Sequence, residues 1–446
     1  MDMLTAYADH SSDEDAHQNS HSQSPVPSKR SIVTGTVETI AFDEKAFSSL
    51  ERSFQPPAKP QKRPRSPAKT PLMPSNDPPK PQSSATQKRP RTSTEQHTNK
   101  APSVLVPSST FHLSSQTDYQ NRAWHLPPSS CRTFAHLEQY TPYIPKRATS
   151  CKSAHPRGAS VVRFSPEYGH LVLSAGNDAS AKVWYSQSAK LARTYVGHSK
   201  AIRDAVFDQT ASQFLTAGFD KRVLLWDVES GKVLSSFTTS GNPLCVRFCP
   251  REPFQFLAGC ADKKVMQIDV RDASKVVQTY DEHMGSVNSL SFIDEGRRFV
   301  SSADDKVLRV WEYGIPVVIK YITDPSAHSM PVTIIHPNQK WLCCQSMDNT
   351  IRLFSIGHRF KRNEKRVFRG HLVAGYACGM TTSPDGRFLV SGDSLGRLFY
   401  WDWKTARLFR TAEAHKRAPC SSVDWHPTQP SFVVSCGWDG NVMFWD

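Results

Sequence analysis

An aromatic or aliphatic anchor returns seven times, at Trp184, Trp226, Ile268, Trp311, Phe354, Trp401 and Trp445, with gaps of 42, 42, 43, 43, 47 and 44 residues. A unit of that length holds four short strands but cannot bury its own apolar face, so successive units must pack on one another. Six residues before each anchor stand Asp178, Asp220, Asp262, Asp305, Asp348, Leu395 and Asp439, so only the sixth unit loses the Asp. The register predicts an all-β fold, a seven-bladed β-propeller.

More positions repeat. Four residues before each Asp slot come Ser174, Thr216, Ala258, Ser301, Cys344, Ser391 and Ser435, and upstream of most units stands a His, usually after a small residue: His155, His198, His283 (after Glu282), His371 and His415, with His328 less regular. In these residues the C-terminal two thirds of the chain resembles the WD-repeat proteins throughout. The resemblance implies that the His precedes the first strand of a blade, the Ser or Thr sits on the second, the Asp in the turn after it and the Trp on the third. The four would form one buried hydrogen-bond network per blade, favourable only when every member is satisfied. The sets are His155, Ser174, Asp178 and Trp184; His198, Thr216, Asp220 and Trp226; His283, Ser301, Asp305 and Trp311; and His415, Ser435, Asp439 and Trp445. The sixth is His371, Ser391 and Trp401, imperfect at Leu395, while Ala258 with Ile268 and Cys344 with Phe354 weaken the third and fifth.

Ser, His and Asp in one blade invite a catalytic-triad reading, but a nucleophile must be exposed and unique, whereas this trio recurs and is expected to be buried beside a Trp. No convergent, non-repeated set of acid, base or metal ligands stands out, so no catalytic residue, metal site or cofactor is assigned. Trp226-Asp227, Trp401-Asp402 and Trp445-Asp446 close three strands, and runs such as Lys221 to Asp227 (KRVLLWD) and Lys306 to Glu312 (KVLRVWE) read as half-buried strands. The last Trp is followed by a single residue, which leaves blade seven without its outermost strand and with an unpaired sheet edge. Lys146 to Ser153 (KRATSCKS) is therefore predicted to supply that strand.

Composition places a boundary near residue 145, with residues 146–446 forming the propeller and 1–145 a largely disordered tail. Residues 55 to 108 hold thirteen prolines and almost no aliphatic cluster, too little apolar surface to offset the entropy of ordering. The tail begins acidic (Asp2, Asp9, Asp13, Glu14, Asp15) and turns basic over residues 55–100, where one motif occurs twice, Lys62-Arg63-Pro64-Arg65 and Lys88-Arg89-Pro90-Arg91. Such clusters read as nuclear import signals or nucleic-acid patches, or as a solvated charge run with no reader. Asp43 to Phe54 places Phe47, Leu50 and Phe54 at helical spacing, too short a stripe to be stable alone, so it either folds on a partner or fluctuates. No stretch approaches the roughly 20 apolar residues of a membrane span, and the N-terminus does not read as a signal peptide. A soluble intracellular protein is expected, its ten cysteines reduced and acting as packing residues.

Several stretches go beyond what blade geometry dictates: Gly197 to Asp204 (GHSKAIRD), Tyr280 to Asn288 (YDEHMGSVN), Arg297 to Glu312 (RRFVSSADDKVLRVWE), His328 to Pro331 (HSMP), Gln345 to Asn349 (QSMDN), Gly370 to Cys378 (GHLVAGYAC), Trp401 to Thr405 (WDWKT) and Cys436 to Gly440 (CGWDG). Together with Asp118-Tyr119-Gln120-x-Arg122, they resemble the pre-mRNA-processing factor 17 family over most of residues 118 to 446. The resemblance implies a nuclear, non-enzymatic spliceosome component, a scaffold in the second catalytic step, exon ligation. Its partners would be spliceosomal proteins, small nuclear RNAs and pre-mRNA, and it would act as a monomer within a large complex, with no membrane and no small-molecule substrate. The tail is shorter and more Pro-rich than that family's usual arm, which leaves the arm's contacts open. A net charge of +14 suits polyanionic partners. The densest basic cluster of the repeat region is Arg359, Lys361, Arg362, Lys365, Arg366 and Arg369, a candidate RNA- or partner-binding strip, with a merely solvated edge strand as its alternative. A second function class, a substrate receptor of a cullin ubiquitin ligase, rests on the degraded Trp-Asp-x-Arg stretch Ile268-Asp269-Val270-Arg271.

Overall fold

A computed structural model describes residues 106–117, 121–128, 143–323, 327–357, 359–416 and 418–446. The acidic start, the helical stripe at 43–54 and the basic motifs at Lys62, Arg63, Arg65, Lys88, Arg89 and Arg91 lie outside the described residues. Within them the chain forms seven antiparallel sheets, the seven blades of the propeller. Each blade meanders outward from the central channel, as Ala159–Phe164, Leu171–Gly176, Ser180–Tyr185 and Leu191–Val196 do in blade 1.

Burial follows position in the blade. Second strands are buried throughout, as Leu171–Gly176 is, or at every residue but the first, because both faces of a blade meet a neighbouring blade. Outermost strands alternate instead, as Val233–Thr238 does in blade 2, because one side of each is wet. The turn from second to third strand is the same device seven times over: Ala179, Lys221, Lys263, Lys306, Asn349, Gly396 and Gly440 each follow the Asp slot and each has φ between 61° and 79°. Such a left-handed residue reverses the chain in the least space. Among the described residues the only helical element is the 3-10 turn Asp294–Gly296, and none of them forms a helix long and apolar enough to cross a membrane.

The ring closes as the strand arithmetic requires. Ala148–Ser153 is the outermost strand of blade 7, antiparallel to Asn441–Trp445. The seam is extended by the Lys146 and Arg147 amides donating to the Asp446 carbonyl at 3.1 and 3.0 Å, and by Arg410 donating to the carbonyls of Pro145 and Lys146 at 2.7 and 2.6 Å.

Packing does not begin at residue 145. Ser108–Phe111 pairs antiparallel with Leu191–Val196 and gives blade 1 a fifth strand. Past it, Thr117 bridges to Ala123, and Trp124, only 4% exposed, joins the core of blades 1 and 2. Arg193 ties this strap down: it donates to Ser109 Oγ at 3.0 Å and to the Ser230 and Glu229 carbonyls at 2.8 and 2.9 Å, and its guanidinium lies 4.9 Å from the Phe111 ring centroid. A few apolar residues with a docking surface outweigh a polar average that reads as tail.

Candidate interaction site

The repeated polar sets hold the blades together in four places. In blade 1 the Trp184 indole donates to Ser174 Oγ at 2.9 Å, Ser174 lies 2.9 Å from His155 Nε2, and His155 Nδ1 lies 3.0 Å from Asp178. Blade 2 repeats it with Trp226 to Thr216 at 3.0 Å, Thr216 to His198 at 2.8 Å and His198 to Asp220 at 2.9 Å. Blade 4 uses Trp311, Ser301, His283 and Asp305 at 2.8, 2.6 and 3.0 Å, and blade 7 uses Trp445, Ser435, His415 and Asp439 at 3.0, 3.1 and 2.9 Å. With indole N–H a donor only and carboxylate an acceptor only, the chain of donation runs Trp to Ser to His to Asp. Burial pushes the Asp178 carboxyl up, but the His155 bond outweighs it and the group stays below its ordinary range. Each hydroxyl is consumed in this chain, so none is a nucleophile waiting for a base.

Three blades depart. Blade 3 has Ala258 and Ile268 in the Ser and Trp slots, and Asp262 is bonded by Ser240 instead. Blade 5 leaves His328 exposed, and Asp348 accepts from Arg352 at 2.5 Å. The expected sixth network of His371, Ser391 and Trp401 does not form. Trp401 donates to the Arg369 carbonyl at 3.0 Å, Ser391 takes a bond from Gln345 at 3.0 Å, and neither His371 ring nitrogen has a partner among the described residues. Blade 6 also differs two residues past the hydroxyl. Blades 1, 2 and 7 have Gly176, Gly218 and Gly437 there, where a Cβ would stand 2.4 to 2.6 Å from the His ring. Blade 6 has Asp393, fully buried and bonded to the backbone and side chain of Arg397 at 2.7 and 2.8 Å. Burial pushes the stranded His371 down to about 4.

The central channel is lined by the innermost strands and is about 360 Å³ in volume. Asp204 accepts from Arg163 at 2.9 Å and from Arg247 at 2.7 Å, a charged tie across the first strands of blades 1, 2 and 3. Asp424 of blade 7 lies at the register position of Arg163 and Arg247. It accepts from the Phe164 and Trp425 amides at 2.8 and 3.0 Å, yet burial raises it to about 6.

At the end of the channel that carries the Asp turns, a cavity of about 440 Å³ opens. Tyr376 and Trp438, 37% and 51% exposed, meet edge to face there with centroids 5.2 Å apart at 88°. Around them lie Arg203, Asn288, Asp304, Pro331 and Met347. Each belongs to a different stretch singled out in the sequence for exceeding blade geometry: GHSKAIRD, YDEHMGSVN, RRFVSSADDKVLRVWE, HSMP, QSMDN, and for the aromatic pair GHLVAGYAC and CGWDG. Seven segments spread over residues 197–440 thus converge on one mouth. Nothing in spacing marked Tyr376 or Trp438; their signal was that they are aromatic, unrepeated and in turns.

The basic cluster falls at and beside Arg362–Arg369, the outermost strand of blade 5. It is not one face: Arg359, Lys361, Lys365 and Arg369 are exposed, while Arg362 and Arg366 are half-buried, the latter with its guanidinium 5.6 Å from the Trp403 ring centroid. Arg271 of the Ile268–Arg271 stretch folds back on Asp269 at 2.6 Å and over Phe254. Among the described residues no group of His, Cys, Asp and Glu could hold a metal ion, and the nine described cysteines are free, all but Cys151 buried.

The repeat family described as WD domain, G-beta repeat matches residues 189–227, 274–312, 319–355, 362–402 and 406–446. Each match ends on a third strand, so a sequence repeat takes its first part from the preceding blade. Pre-mRNA-processing factor 17 of Homo sapiens is 43% identical over 345 residues, which span 75% of this chain and 58% of that protein. The Saccharomyces cerevisiae protein of the same name is 36% identical over 341 residues, 75% of each chain. WD repeat-containing protein 25 of Mus musculus is 28% identical over 312 residues, 68% of this chain and 58% of that protein.

Proposed function

The chain belongs to the pre-mRNA-processing factor 17 family, and from that premise we propose that it is a non-catalytic spliceosome component that acts as a scaffold in exon ligation. The observation that carries the reading is the convergence of the family-like segments on the channel mouth around Tyr376 and Trp438. A ring of loops on a stiff propeller holds a partner by contact, with exposed aromatic anchors at its centre. The exposed cations Arg359, Lys361, Lys365 and Arg369 add a second contact, to RNA phosphates, which positions a strand without reading its sequence. The protein works in the nucleus, with spliceosomal proteins and small nuclear RNAs as partners.

Depletion from a splicing extract tests this. The first step should proceed while lariat intermediate and free 5′ exon accumulate, and the intact protein should restore ligation. Tyr376→Ala with Trp438→Ala should rescue poorly. Charge reversal of the four exposed cations should rescue poorly too, and more so as salt rises. A block before branching would overturn the stage, and full rescue by either variant would overturn the role of that surface.

A further inference from the structure

The outermost strand of blade 4, Val318–Ile322, and its approach expose more large apolar side chains than the other blade edges, which show Leu234 on blade 2, Val277 on blade 3 and Leu408 with Phe409 on blade 6. Counting the approach to it, Ile315, Val317, Ile319 and Tyr321 are each between 49% and 64% exposed. Edges of sheets ordinarily carry charge or polar groups that discourage further pairing. Blade 5 does so with Glu364 and Lys365, and blade 2 with Ser236 and Thr238. Blade 4 instead shows IPVVIKYI, β-branched and aromatic, with one cation and no acid. Among the described residues no strand pairs with its outer side. An exposed apolar edge of this kind templates another strand.

The same molecule shows how such an edge is filled. On blade 1 the equivalent outer strand takes Ser108–Phe111 in antiparallel register, four residues whose backbone completes the ladder while Phe111 packs beneath Arg193. Blade 4 has the template without the added strand. Its surroundings define what fits. Tyr321 is held by Glu282 at 3.3 Å and lies over Arg309, 5.4 Å from guanidinium to ring centroid, so its ring is fixed and ready to pack. On the side of blade 5, Lys320 reaches the Arg359 carbonyl at 2.6 Å, which sets Lys320, Arg359 and Lys361 in a cationic margin along the apolar strip.

We propose that the outer edge of blade 4 receives an extended segment of a partner protein as a fifth strand, with apolar side chains at alternate positions against Val317, Ile319 and Tyr321 and acidic side chains toward Lys320 and Arg359. Main-chain bonds supply the pairing and the alternation supplies the specificity. The cationic margin selects an acidic segment over a basic one. The site lies on the rim and does not depend on the channel mouth.

The test uses the full chain and a synthetic peptide of alternating valine and glutamate, about nine residues long, beside a control of the same composition with the valines in one block. Hydrogen exchange should show the Val318–Ile322 amides gaining protection with the alternating peptide alone. Ile319→Lys with Tyr321→Lys should weaken binding by about tenfold or more, and Tyr376→Ala with Trp438→Ala should leave it unchanged. Ile319→Thr with Tyr321→Thr, which keeps strand propensity, should weaken binding in the same direction should the lysine variant fold poorly. Equal binding of the block peptide, no protection at Val318–Ile322, protection that appears only on self-association of the chain, or protection by single-stranded RNA in place of the peptide would each overturn the proposal.

Discussion

The indole of Trp124 meets the ring of Tyr185 edge-on, centroids 6.4 Å apart at 89°, and the Tyr185 hydroxyl donates to the Trp124 carbonyl at 2.9 Å. With His170 donating to the carbonyl of His125 at 2.7 Å, the pair fastens a strap of Pro-rich sequence to the outside of blade 1.

Truncation should expose that fastening. Relative to a chain lacking residues 1–105, one lacking residues 1–126 loses the fifth strand and the buried Trp124, at about 3 to 5 kcal/mol, the scale of deleting a buried aromatic. Lacking residues 1–155, the protein also loses the closing strand of blade 7 and should fall further and aggregate through the opened seam. Thermal melts of the three chains check the order; equal melting of the first two would show that the strap contributes nothing.

The polar networks should respond unequally to the same substitution. His198→Leu strands Asp220 and Thr216 in a complete network and should cost about 2 to 4 kcal/mol. His371→Leu removes an imidazole that has no hydrogen-bond partner and should be neutral or stabilising, since an apolar group replaces an unsatisfied buried one. Denaturant titration of both variants measures the contrast, and equal losses would show that blade 6 holds a network after all.

Acid should weaken the protein first through its buried histidines. His371 is pushed down to about 4 and His426 to about 3, both by burial, so between those values and about 6.5 the unfolded chain binds more protons than the folded one. Stability is fully present above about pH 6.5 and is lost as pH falls, by up to about 3 kcal/mol for His371. Asp424, raised to about 6, works with the opposite sign, since the folded state holds its proton from about 6 down to the ordinary carboxylate range. Melting temperature against pH should therefore slope more steeply in Asp424→Asn and less steeply in His371→Leu.

Nuclear entry should depend on the doubled basic motif of the N-terminal region. Lys62, Arg63, Lys88 and Arg89 changed together to Ala should move a tagged protein to the cytoplasm. Phosphate at Ser66 or Thr92, adding about −1.5 to −2 charge beside each copy, should do the same in milder form. Undiminished nuclear signal would assign import to a partner.

The blade count, the order of the polar networks and even the source of the closing strand were legible in the amino-acid sequence. These features repeat locally: a Trp ten residues after a Ser and a left-handed residue after an Asp are set by strand and turn geometry within one blade. The failed network of blade 6 was half legible. Leu395 marked the lost Asp, but that Trp401 turns to the Arg369 carbonyl and Ser391 to Gln345 is decided by packing. The strap was illegible because composition averages over many residues, whereas Trp124 and Phe111 dock one at a time. Tyr376 and Trp438 became neighbours only when the ring closed: they lie on successive blades but in different turns, and no local rule relates them. Sequence thus determined the repeating unit through short-range hydrogen bonding, and tertiary structure alone decided which unrepeated side chains meet, because ring closure brings together residues that the chain keeps far apart.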